Sequence, residues 1–61
     1  MKYTWRSLNE AFPAMPEEQV KALLDEELAT LRRPRWVERL HQRYNTLRVA
    51  RERAQLLASL T

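Results

Sequence analysis

The sequence predicts an all-α fold: an antiparallel helical hairpin with a short N-terminal helix packed on its open end. Three observations lead there. The 61 residues include no glycine, whereas β-hairpins need positive-φ turn residues that are mostly glycine; Leu, Ala, Glu, Gln and Arg, all good helix formers, dominate instead. Val37, Leu40, Tyr44, Leu47, Arg51, Ala54 and Ala58 follow one another in steps of three and four, which is the narrow seam of one long amphipathic helix. Pro34 stands directly behind Arg32-Arg33, and so short a connection makes antiparallel neighbours of the helices it joins. A chain of this length forms one domain over 1–61, with helices expected at about 5–12, 16–32 and 34–59.

Each element has its own local signals. Thr4 is a suitable N-cap for a first helix that carries Trp5, Leu8 and Phe12 on one face. Ser7 and Glu10 have capping-box spacing, but too little helix follows before Pro13 for that register. Pro13 ends the element because it lacks the amide donor and restricts the residue before it. The second helix starts at Pro16, a favoured first position, with Glu17 and Glu18 complementing the helix dipole in the first turn and Arg32 and Arg33 in the last. Its buried stripe is expected to be Val20, Leu24, Glu27, Leu28 and Leu31, with Leu23 beside it. Pro34 then opens the third helix.

Pairing the two long helices about Arg33 sets Leu31 against Trp36, Leu28 against Val37 and Leu40, Leu24 against Tyr44, and Val20 against Leu47. The same register brings Glu17 opposite Arg51. That accounts for an arginine in an otherwise apolar seam and predicts a partly buried ion pair near the open end. The first helix is expected to fold back over Val20, Leu47, Ala50 and Ala54.

Charge divides along the chain. Residues 1–31 carry a net −3 and residues 32–61 a net +6. Nearly all the basic residues are arginines, suited to planar, two-point contacts with carboxylate or phosphate. Arg32, Arg35, Arg39, Arg43 and Arg53 fall along one flank of the third helix. Glu26 and Glu27 are expected to neutralise about two of them, Glu27 by bridging to Arg39 or Arg43. A solvated face weighs about as much here as a docking edge for an acidic protein or a phosphate backbone. On the far side of the same helix, Val49, Leu56 and Leu60 point away from the seam, with Leu57 beside them. Either the first helix covers these residues or they form an interface, homo-oligomeric or with a partner protein.

Several classes of chemistry lack their residues. The chain has no cysteine and one histidine, His41, so sulfur-ligated zinc and multi-histidine sites are excluded. No nucleophile–base pair or carboxylate pair stands out, and the expectation is a non-enzyme without cofactor. Trp36 and Tyr44 belong to the core, and His41 to its boundary. No run is long and apolar enough to span a bilayer, nor does the N-terminus read as a signal peptide; a cytoplasmic protein is the expectation. A core this small is marginal, which makes oligomerisation or a protein partner the expected additional staple.

The stretch ERLHQRYNTLRVARERAQLL, with the upstream LNEAFP and LLDEEL, resembles small accessory proteins of tailed bacteriophages in overall style across most of the chain. The resemblance implies a protein that acts on host machinery or packs within a virion assembly. It assigns no site residues. The function expected from the residues is an interaction protein that modulates or helps assemble a larger protein complex. The alternative is a nucleic-acid-binding helical-hairpin regulator that uses the arginine edge. Against that alternative stand the acidic second helix and the absence of a helix-turn-helix signature.

Overall fold

The computed structural model describes residues 3–60. Among them the chain forms three α-helices and no strand: α1 (Trp5–Ala11), α2 (Glu17–Ala29) and α3 (Pro34–Ala58), with a 3-10 turn over Phe12–Ala14 between the first two. α2 and α3 pack against each other. Their reversal is short, as the position of Pro34 requires, and Pro34 is the first residue of α3.

The start of α1 is fixed by Thr4. Its hydroxyl accepts the Ser7 amide at 3.1 Å, and the Ser7 hydroxyl accepts the Thr4 amide at 2.9 Å. This is a reciprocal capping box that satisfies two otherwise orphaned donors. Phe12 remains helical in φ and ψ, so Pro13 tightens the chain into a 3-10 turn rather than stopping it at once. α2 begins one residue later than the sequence suggests, with Pro16 as its cap.

The end of α2 differs more. It stops at Ala29, three residues short of the expected end. The Arg32 amide donates to the Glu27 carbonyl at 2.8 Å, closing a wide turn of the kind found at helix C-termini. Arg32 takes φ 51°, the left-handed conformation that glycine would normally fill. The outer turn therefore swings away from α3. Leu28 and Leu31, expected in the buried stripe, are 43% and 64% exposed.

The core consists of Leu8, Phe12, Met15, Val20, Leu24, Trp36 and Leu40, with Tyr3, Trp5, Leu23, Val37, Tyr44 and Leu47 packed around it. α1 does not cover the open end. Trp5 meets Trp36 edge-on, with ring centroids 5.7 Å apart, and Asn9 and Phe12 lie against Arg39 and Arg43. α1 thus runs beside the upper half of α3, from the reversal toward its middle, and Ala50 and Ala54 stay exposed. The aromatic pair explains this placement. Trp5 and Trp36 bury each other's large surfaces, whereas the alanines would offer Trp5 little to pack against. α3, at 25 residues, outruns the 13 residues of α2 by about 18 Å at 1.5 Å per residue. From Val49 to Leu60 every residue is exposed.

Candidate functional site

Two surfaces are set by this geometry, both on α3. The first is the arginine flank. Among the described residues four arginines pair with carboxylates: Arg6 with Glu10, Arg33 with Glu27, Arg48 with Glu52, and Arg51 with Glu17. Among the described residues none of Arg32, Arg35, Arg39, Arg43 and Arg53 forms such a pair, and these are the residues of the flank. Glu27 turns to Arg33 instead of Arg39 or Arg43. Its carboxylate accepts the Arg33 amide at 2.9 Å, Nε at 3.0 Å and Nη2 at 2.8 Å. The left-handed turn at Arg32 folds Arg33 back onto that carboxylate, which explains the change of partner.

The central flank arginines are held by neutral groups. Arg39 donates from Nε to Asn9 Oδ1 at 2.7 Å and from Nη1 to Gln42 Oε1 at 3.0 Å, with its guanidinium 4.9 Å from the Phe12 ring centroid. Arg43 donates from Nη2 to the Phe12 carbonyl at 3.3 Å. Arg35 lies 4.1 Å above the Trp5 ring. Ring faces and amide oxygens orient guanidinium groups without cancelling their charge. Asn9, Phe12, Pro13, Arg39, Gln42, Arg43 and Thr46 line a groove of about 290 Å³ here, with no carboxylate among them. Arg32 and Arg53 are exposed, at the reversal and on the tip. The structure thus gathers Arg35, Arg39 and Arg43 along α1 and leaves the other two apart. Asn9, which braces Arg39, is absent from the sequence reading; a polar side chain beside Leu8 on so short a helix was its only signal.

The second surface is the projecting tip. Val49, Leu56, Leu57 and Leu60 are all exposed, Leu56 at 68% and Leu60 at 80%. Neither α1 nor α2 reaches them. At its base the Glu17 carboxylate accepts Arg51 Nε at 2.9 and 3.2 Å, the pair expected from the seam register. That hydrogen bond raises the Arg51 pKa and marks where the α2–α3 contact ends. His41 is exposed rather than at the core boundary.

Comparison with protein families, curated proteins and solved structures finds no match to this chain. The functional reading therefore rests on the two surfaces alone. Among the described residues, no group of three or more His, Cys, Asp or Glu side chains is placed to hold a metal ion, and no helix is long and apolar enough to cross a membrane.

Proposed function

We propose that this protein is a small non-enzymatic interaction protein whose projecting α3 tip binds another protein and modulates it or helps assemble it into a larger complex. The observation that supports this reading is the exposure of Val49, Leu56, Leu57 and Leu60 on one projecting helix. Interaction sites are where contiguous apolar surface stays uncovered, and a few apolar anchors with an arginine beside them match the usual anatomy of an interface core. The resemblance to phage accessory proteins directs the search for the partner to host machinery or a virion assembly.

The unpaired arginine flank favours a second reading, binding to a nucleic-acid backbone. Guanidinium groups without carboxylates are suited to phosphate, and such binding falls steeply with salt. Affinity purification of the tagged chain from its native cell, with and without nuclease, separates the two. The interaction reading predicts a protein recovered after nuclease and lost with Leu56→Glu/Leu60→Glu. Recovery only while nucleic acid is intact supports the second reading and overturns the first.

A further inference from the structure

We propose that the arginine groove and the apolar tip are two halves of one docking strip, and that it takes a single amphipathic segment of a partner protein, acidic at the groove end and apolar at the tip end, with one carboxylate among its apolar residues to meet Arg53. This rests on the interaction reading above and adds the chemistry and orientation of what is bound.

The strip follows from where α1 ends. α1 and its 3-10 turn wall one side of α3 as far as Phe12 and Pro13, which share the groove with Arg39 and Thr46. Beyond Thr46 the wall is gone, and the same side of α3 continues into the tip. At about 100° per residue, Arg39, Thr46, Val49, Arg53, Leu56 and Leu60 fall within roughly 100° of one another. They form one face that is basic above and apolar below, with Arg53 set among the apolar residues. From Arg39 to Leu60 it measures about 32 Å, the length of a helix of about 20 residues.

Charge decides what fits. Arg39 and Arg43 bring positive charge with no carboxylate in their groove. Arg53 stands amid the apolar residues, and the described chain gives it no ion pair. A wholly apolar occupant would bury that guanidinium unpaired, which is costly. A second copy of the chain would lay arginine against arginine in a parallel pairing and arginine against leucine in an antiparallel one, and neither brings a carboxylate to the strip's arginines, because Glu38 and Glu52 stand at its margins and Glu52 already pairs with Arg48. A nucleic-acid backbone would satisfy the arginines and leave Leu56 and Leu60 with nothing apolar to bury against. An acidic amphipathic helix meets all three conditions.

The test is selection of a displayed library of random 20-residue peptides on the full chain. Binders are then measured against Arg53→Glu, Arg39→Glu/Arg43→Glu and Leu56→Glu/Leu60→Glu. Arg53→Glu is the cleanest of these, because Arg53 is exposed and has no hydrogen bond, ion pair or ring contact among the described residues. The strip predicts binders enriched in Asp and Glu at one end and in apolar residues at helical spacing at the other, with one acidic residue among the latter, and an affinity loss of about tenfold or more for each variant. Binders that depend on the leucines but on none of the arginines would overturn the strip and leave the tip as an interaction site. Binders indifferent to every variant, or no binders at all, would overturn both. A single-stranded oligonucleotide that binds more tightly than any peptide and depends on the same arginines would overturn the assignment to a protein segment.

Discussion

At the residue scale the reversal is organised around Glu27, the one fully buried charged side chain among the described residues. An ionised carboxylate without water must be paired and hydrogen-bonded, and Glu27 takes three donors from Arg33. The guanidinium of Arg33 in turn lies 3.7 Å over the Trp36 ring. Those hydrogen bonds from Arg33 hold the Glu27 pKa below its ordinary value of 4.5, against the opposing effect of burial. A carboxyl whose pKa is lower folded than unfolded stabilises the fold fully above the unfolded value, and the effect is lost as pH falls through the folded one. Thermal unfolding followed by circular dichroism between pH 2 and pH 6 should therefore show a decline below about pH 4.5 that is shallower in Glu27→Gln. At pH 7 the same variant should melt roughly 5–10 °C lower. Arg32 provides a second test. A β-branched side chain at φ 51° crowds the backbone, so Arg32→Val should cost about 1–2 kcal/mol in chemical denaturation while Arg32→Gly should not.

At the scale of elements, α1 is held by its cap, by burial of Leu8, by the Trp5–Trp36 contact and by the Asn9–Arg39 hydrogen bond. Removal of the Thr4 hydroxyl in Thr4→Ala should cost about 0.5–2 kcal/mol and loosen the Trp5–Trp36 pair, seen as a red shift of tryptophan fluorescence. The core of the hairpin is far less tolerant. Leu40 is completely enclosed, and Leu40→Ala should cost about 2–5 kcal/mol, enough to unfold much of so small a domain. How far these elements were legible in the sequence varied for physical reasons. Apolar spacing carried the long seam of α3, and Pro34 carried the sharp reversal. Together they set the register that pairs Glu17 with Arg51, because side chains three and four apart share a face. The end of α2 was illegible for the opposite reason: Arg32 adopts a glycine-like conformation with no glycine to announce it. The same residue redirected Glu27 to Arg33 and exposed Leu31. The placement of α1 was hidden because spacing reveals which face of a helix is apolar, not which neighbour that face chooses. Helical spacing puts Arg32, Arg35, Arg39, Arg43 and Arg53 on one flank, but only Arg35, Arg39 and Arg43 lie along α1, with Arg32 at the reversal and Arg53 on the tip. What held the central three in place was not foreseen, since ring faces and amide oxygens have no fixed sequence spacing across 30 residues.

At the scale of the whole molecule the asymmetry of the two long helices matters most. The longest dimension is 44 Å and the shortest 15 Å, and the excess length of α3 is exposed surface. The core lies toward the reversal, where α1, α2 and α3 all meet, and the tip contributes nothing to it. Three leucines and a valine on a free helical end are a cost to solubility that a monomer has no need to carry. The central claim is that these side chains lie outside the fold's own packing and serve a partner. The measurement that tests it most directly is the thermal melt of the isolated Leu56→Glu/Leu60→Glu variant beside that of the parent chain. A melting temperature and helical signal within about 3 °C and 10% of the parent is the predicted result, as for substitutions away from any packed feature. A variant that melts more than 10 °C lower or loses its helical signal would contradict the account, because the leucines would then be part of what holds the chain together.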